Sequence, residues 1–194
     1  MHRNWDFLRG KMEKERERLL ELLRSKSFQR KKIVLASGKE SDFYIDCREV
    51  TLNPEGIYLT GKVFFKILKS HTATIDAVGA VPVAAVPIAA AISVISYIEG
   101  SPIPAFVIRK EPKAHGTGKW IEGAANLKKG AVVAIVEDVI TTGGSVLKAI
   151  KTAENEGLKV DCVIAIVDRE EGGREGIVSA GYNLITLYTR KDFM

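Results

Sequence analysis

Residues 132–145 read Val-Val-Ala-Ile-Val-Glu-Asp-Val-Ile-Thr-Thr-Gly-Gly-Ser. Five consecutive apolar residues without polar alternation are the pattern of a strand buried on both faces of a parallel sheet. That strand delivers two adjacent carboxylates, Glu137 and Asp138, to its C-terminal end, the end at which open α/β sheets bind ligands. Val139 and Ile140 lead into a turn, Thr141, Thr142, Gly143, Gly144 and Ser145, and a helix is expected to follow. Small residues let backbone N–H groups approach a phosphate closely, and a helix N-terminus favours its negative charge. Acids beside a phosphate cradle make sense if the ligand carries hydroxyls or a metal as well as phosphate. A phosphorylated sugar with vicinal hydroxyls meets that requirement. The stretch lacks the Gly-Lys-Ser/Thr of a P-loop and the Gly-x-Gly-x-x-Gly of a dinucleotide fold. The plain competing reading is an ordinary capped strand–helix turn.

Outward from this stretch the chain alternates strand and helix. Apolar strands are expected at 75–79, 103–108, 131–136, 160–167 and 184–188, with helices at 87–97, 145–156 and 173–180. Buried strands separated by helices imply an α/β fold with a mainly parallel central sheet flanked by helices. The N-terminal portion differs. An amphipathic helix is expected over 5–25, short strands at 32–35 and 43–46, and a helix from Pro54 to about Ser70, with Asn53 as its cap. Residues 109–123 show no hydrophobic period and carry three glycines, so they read as a loop. The expectation is one domain, with N-terminal elements over about 1–55 and an α/β core over about 56–194.

Composition narrows the class. With 194 residues, 46% of them hydrophobic, the chain can bury a full core. A net charge of +5 suits anionic ligands, yet no basic stripe with interleaved aromatics points to nucleic acid. The basic residues of 11–24 are mixed with Glu and Leu and read as a solvated helix face. Cys47 and Cys162 match no metal spacing and are expected to be reduced. His2 and His71 have no partner motif and read as surface residues. Pro82 and Pro87 interrupt the apolar run 77–98, so no membrane span is expected. With no secretory pattern at the N-terminus, a cytoplasmic location is expected.

The 132–145 stretch resembles the phosphoribosyl pyrophosphate (PRPP) signature of the type I phosphoribosyltransferases. The resemblance implies that Glu137 and Asp138 bind the ribose hydroxyls and that the loop from Thr141 to Ser145 grips the 5-phosphate. Three other stretches resemble the orotate phosphoribosyltransferases among them. Arg109-Lys110-Glu111-Pro112-Lys113-Ala114-His115-Gly116 is similar to their mobile catalytic loop. Asp168-Arg169-Glu170-Glu171-Gly172-Gly173 is similar to the segment whose Arg contacts orotate. Ser37-Gly38-Lys39 through Phe43-Tyr44, with Thr51-Leu52-Asn53-Pro54-Glu55-Gly56 after it, is similar to their N-terminal hood.

The resemblance assigns Arg109, Lys110, Lys113 and His115 to the departing pyrophosphate, and Arg169, Thr141 and backbone groups near Phe43 and Tyr44 to orotate. It implies Mg²⁺, held mostly by pyrophosphate, ribose hydroxyls and water, with no direct protein ligand to the metal named. It also implies a homodimer whose loops reach into the neighbouring subunit's site. Two plainer readings compete: the basic loop as a solvated surface loop, and Arg169 as a salt-bridge partner of Glu137 or Asp138. Ala84 stands where many relatives carry a pyrophosphate-binding Lys, Ala85 where Gly is usual, and Ala36 where some carry a Lys near orotate. Two other activities also carry the signature: a purine phosphoribosyltransferase, which needs a different hood and no Arg169 segment, and a PRPP-sensing regulator, which can lose the catalytic loop.

Overall fold

The structure, a computed structural model, describes residues 2–34, 40–112 and 119–194. Helix α1 (His2–Leu22) leads through a π turn into an antiparallel ribbon of β1 (Phe28–Val34) and β2 (Glu40–Ile45). A short helix, α2 (Arg48–Thr51), precedes α3 (Pro54–Ser70). The Asn53 side chain accepts hydrogen bonds from the N–H groups of Glu55 and Gly56 at 3.1 and 3.2 Å, so the expected cap is formed; such a cap stabilises a helix by about 1 kcal/mol.

The core then alternates: β3 (Ala77–Ala80), α4 (Ala85–Ile98), β4 (Ala105–Ile108), β5 (Ile121–Glu122), β6 (Val132–Ile140), α5 (Gly144–Asn155), β7 (Lys159–Asp168), α6 (Gly173–Ser179) and β8 (Asn183–Thr189). These six strands form one sheet in the order β5-β4-β3-β6-β7-β8, parallel except at β4–β5. From β3 the chain moves outward to β4 on one side; after β5 it returns to β6 on the other. The strand order therefore reverses between β3 and β6, and the crevice beyond their C-terminal ends is where an open α/β sheet binds its ligand.

Side chains alternate across the sheet. Ala134 and Val136 of β6 join one core cluster with α1, α3, α4 and the ribbon residues Phe43 and Ile45. Val133 and Ile135 join a second, with Val146, Ile150 and Ala153 of α5 and Ile177 of α6. Helices thus cover both faces, as near-continuous apolar strands require. The apolar run 77–98 divides into β3, a turn containing Pro82, and α4; among the described residues no helix is long and apolar enough to cross a membrane. Pro87 sits in the first turn of α4, where its missing N–H has no helical partner to lose.

Several bounds differ from the sequence reading. β6 does not stop at Val136 but runs to Ile140, because β7 keeps pairing with it: Glu137 faces Ala165, Val139 faces Val167 and Ile140 faces Asp168. β1 begins at Phe28, its polar residues drawn into a strand by pairing with β2. Residues 109–123 are not all loop, since β5 returns antiparallel to β4.

Candidate active site

At the C-terminal end of β6 lie the acids and the turn that the sequence singled out. Glu137 and Asp138 lie in the last part of β6, Glu137 only 8% exposed. Burial pushes the Glu137 carboxyl above the usual carboxylate range, and the adjacent Asp138 charge pushes it the same way. Burial raises Asp138 as well, against the lowering effect of its contact with Glu137. The two titrate as a pair, which holds one proton more readily than two separated carboxyls would. Among the described residues neither acid has an ion-pair partner; Lys110 is near enough to favour the charged form of Glu137. The site thus has an excess of negative charge, directed at a ligand rich in donors.

Beside the acids, a small cavity is lined by Glu137, Ile140 and the turn from Thr141 to Val146. Gly143 adopts φ 78°, and Gly144 opens α5. The left-handed residue turns the chain so that the first N–H groups of α5 face the cavity, an anion-binding arrangement. The turn is supported from below. A Cβ on Gly173 would come within 2.5 Å of Ile140 Cγ2 and 2.6 Å of the Thr141 carbonyl, so only glycine lets α6 approach this closely.

Arg169 follows β7 directly. Its N–H donates to the Ile140 carbonyl at 2.9 Å, which locks it to the end of β6. Its guanidinium donates to the Phe43 carbonyl at 3.0 Å and pairs with Glu171 at 3.0 Å. The plain reading of Arg169 as a partner of Glu137 or Asp138 is not what forms. The residue is 9% exposed, and its Nε has no hydrogen-bond partner. Asp168, fully buried beside it, accepts from the Glu170 N–H at 2.9 Å and from Arg174 Nε at 2.7 Å, so it positions the segment and is not itself presented to the crevice.

The ribbon meets this segment through Phe43. The Phe43 ring is buried against Phe28 and Phe193, with centroids 5.2 and 5.7 Å away. Phe43 therefore meets Arg169 twice, through its carbonyl and through its ring, whose centre lies 5.7 Å from the guanidinium carbon. Tyr44 is half-buried, with Lys31 Nζ 4.0 Å from its ring centre. At the other side, Arg109 is held by Glu122 at 2.9 Å and its N–H donates to the Trp120 carbonyl at 2.9 Å, closing the base of the 109–123 segment. Lys110 is exposed. Lys113 and His115, like Ala36 and the Ser37-Gly38-Lys39 turn, lie outside the described residues. Ala84 and Ala85 sit at the start of α4, across the crevice beyond β3.

Sequence reasoning missed Asp46 and Arg48, paired at 2.6 Å, whose charges act on Asp138. No motif marked them; the turn between β2 and α2 carries them to the acids. It also missed Glu171 as the partner of Arg169, although the two are only two positions apart.

A doubly covered parallel sheet, an acid pair at its switch point and a phosphate-sized turn at a helix start define the phosphoribosyltransferase class. Accordingly, the phosphoribosyl transferase domain profile matches residues 48–177. The orotate phosphoribosyltransferase of Sorangium cellulosum is 48% identical over 180 residues, 93% of each chain. That of Aquifex aeolicus is 43% identical over 93% of this chain and 98% of its own. Among solved structures, the Mycobacterium tuberculosis orotate phosphoribosyltransferase in complex with PRPP superposes with a TM-score of 0.74 at 32% identity, covering 92% of this chain and 98% of that one. The chain belongs to the orotate phosphoribosyltransferase family.

Proposed function

We propose that this chain transfers the phosphoribosyl group of PRPP to orotate, giving orotidine 5'-phosphate and pyrophosphate in pyrimidine biosynthesis. One observation carries the choice of base: a buried guanidinium, Arg169, is fixed by its own backbone to the strand that ends in the acid pair and phosphate turn. A carboxylated base beside a phosphorylated sugar is the ligand that uses both.

Glu137 and Asp138 accept hydrogen bonds from the ribose hydroxyls, and the turn from Thr141 to Ser145 donates to the 5-phosphate. Arg169 and Thr141 hold orotate, with backbone groups at Phe43 and Tyr44. Orotate is already an anion with a basic ring nitrogen, so no strong protein base is needed. Cleavage of the anomeric C–O bond leaves positive charge on the ribose and negative charge on pyrophosphate. Lys113, His115, Arg109 and Lys110 stabilise that departing anion, and closure of their loop excludes the water that would hydrolyse the sugar cation.

Two adjacent carboxylates without an ion-pair partner among the described residues suit a crevice that receives Mg²⁺ with its ligand. When bound, Mg²⁺ neutralises pyrophosphate charge. Glu137 and Asp138 orient the hydroxyls beside it, and no side chain is assigned as its direct ligand. The working unit is a homodimer in the cytoplasm, each subunit one domain of hood (about 1–55) and core (about 56–194), with each loop completing the partner's site.

The test is loss of orotate absorbance with PRPP and Mg²⁺, run beside uracil, adenine, guanine and hypoxanthine. Orotate should be consumed far faster than any other base. Uracil lacks the carboxylate that would replace Glu171 at Arg169, so equal turnover of uracil and orotate overturns the reading.

A further inference from the structure

At the opposite end of the sheet, three metal-ligating side chains converge that the reaction does not use. His71 caps the C-terminus of α3, and its Nε2 lies 2.6 Å from Asp161 Oδ2. Cys162 completes the group: one ligating atom from each residue lies within 4.8 Å of the other two. No other group of three or more His, Cys, Asp or Glu among the described residues is drawn together in this way. Asp168, at the crevice end of β7, lies six steps along the strand from Cys162, about 20 Å at ~3.3 Å per residue. The group is therefore separate from the candidate active site.

The sequence gives adjacent strand residues, and adjacent strand residues normally point to opposite faces. A bulge removes that obstacle. Val133 of β6 pairs with Val160, but the next residue, Ala134, pairs with Cys162, so Asp161 is an extra residue in β7. Val160 accordingly packs with the α5–α6 face while Cys162 packs with the α3–α4 face. Such insertions re-aim side chains, and here the Asp161 carboxylate and the Cys162 thiol both come within 4.8 Å of the same imidazole.

The donor set selects the occupant. Nitrogen, sulfur and one carboxylate oxygen suit a borderline cation such as Zn²⁺ and are wrong for Mg²⁺ or Ca²⁺, which take oxygen. Thiolate and carboxylate together balance a charge of two. Three protein ligands leave a fourth tetrahedral position for water. His71 also lines a cavity of about 470 Å³, with Lys69, Thr74, Asp76, Asn126 and Lys128 around its wall.

We propose that His71, Asp161 and Cys162 bind one Zn²⁺-class cation, tying the end of α3 to the start of β7. Binding forms the sulfur–metal bond and breaks the S–H bond, releasing that proton to solvent, while His71 and Asp161 exchange their mutual hydrogen bond for the ion and the imidazole ligates through an unprotonated nitrogen. The bound ion stabilises the folded chain by mass action.

The full-length chain, stripped with chelator and free of PRPP and orotate, is titrated with Co²⁺ as a spectroscopic stand-in for Zn²⁺. One equivalent should produce a thiolate-to-cobalt charge-transfer band, Zn²⁺ should displace it, and Zn²⁺ should raise the melting temperature. Cys162→Ser should abolish the band. His71→Gln and Asp161→Asn, at less buried positions, should weaken binding about tenfold or more, since even outer-shell changes weaken metal sites by about that much. Asp138→Asn should retain the band. No band in the parent chain overturns the proposal, and so does a band undiminished in Cys162→Ser. If Cys162→Ser fails to fold, full-strength binding in both other variants overturns it as well.

Discussion

The Arg169 N–H and the Ile140 carbonyl are joined by a 2.9 Å hydrogen bond, which couples the segment proposed to read the base to the strand proposed to hold the sugar. The guanidinium then turns to Phe43 and Glu171. Arg169 is thus anchored by its backbone, and in the proposed reaction a ligand carboxylate replaces Glu171 at its side chain.

Arg169→Ala should raise the KM for orotate by about tenfold to a hundredfold, the range expected for loss of a charge-assisted hydrogen bond of about 1.5–3 kcal/mol. The KM for PRPP should change little. Arg169→Lys should recover only part of the loss, because a point charge replaces a planar fork. Steady-state kinetics with each substrate varied checks this. Equal increases in both KM values would instead mark Arg169 as a brace for the whole crevice.

The acid pair predicts a pH dependence. Burial raises the folded-state value of Glu137 above its ordinary 4.5. Between those two values the folded chain binds more protons than the unfolded chain, so this group's contribution to stability falls as pH rises through that window. Glu137→Gln should flatten that part of the profile and should raise stability at alkaline pH, where the parent carries both buried charges. Chemical denaturation of the free chain from pH 5 to 9 measures it. PRPP binding should oppose the trend, since hydroxyl donors favour the ionised pair. A parent whose stability rises monotonically across this range contradicts the assignment of the shift to burial.

Gly173 separates support from contact. A Cβ added there would stand 2.5 and 2.6 Å from Ile140 Cγ2 and the Thr141 carbonyl oxygen, closer than either can tolerate. Gly173→Ala should displace the phosphate turn, destabilise the fold by about 1–3 kcal/mol and weaken PRPP binding more than orotate binding. Calorimetric titration with each ligand, together with a melting curve, checks this. Unchanged PRPP affinity at an unchanged melting temperature would show that the turn yields without penalty.

The sequence displayed whatever depends on local pattern. Buried strands, the Asn53 cap, and the acids and glycines of 137–144 follow from runs, spacings and residue types that act over a few positions. Bounds set by pairing were less visible: nothing in Val139-Ile140 announces that β6 continues, because β7 supplies the partners. β5 is two residues long and has no period to detect. The burial of the Phe43 ring depends on Phe193, 150 residues later. His71 read as a surface residue because its partner, Asp161, is 90 positions away and is brought to it by a bulge.

The last prediction concerns the loop. Lys113→Ala should lower kcat by on the order of a hundredfold or more, as for loss of one preorganised transition-state donor, while orotate binding changes little, since the cation is aimed at pyrophosphate. Asp138→Asn should disable sugar binding in its own subunit. In a shared-site dimer, a mixture of the two variants produces a heterodimer in which one site carries both defects and the other carries neither. Activity should then reappear on mixing, approaching half of the parental rate per heterodimer. If each loop served its own subunit, both sites would remain impaired and no recovery would occur. Subunit exchange is verified separately, by differently tagged chains recovered together. No recovery despite exchange rejects the shared site and leaves the assignment to orotate transfer standing, because that assignment rests on Arg169 and the acid pair within one chain.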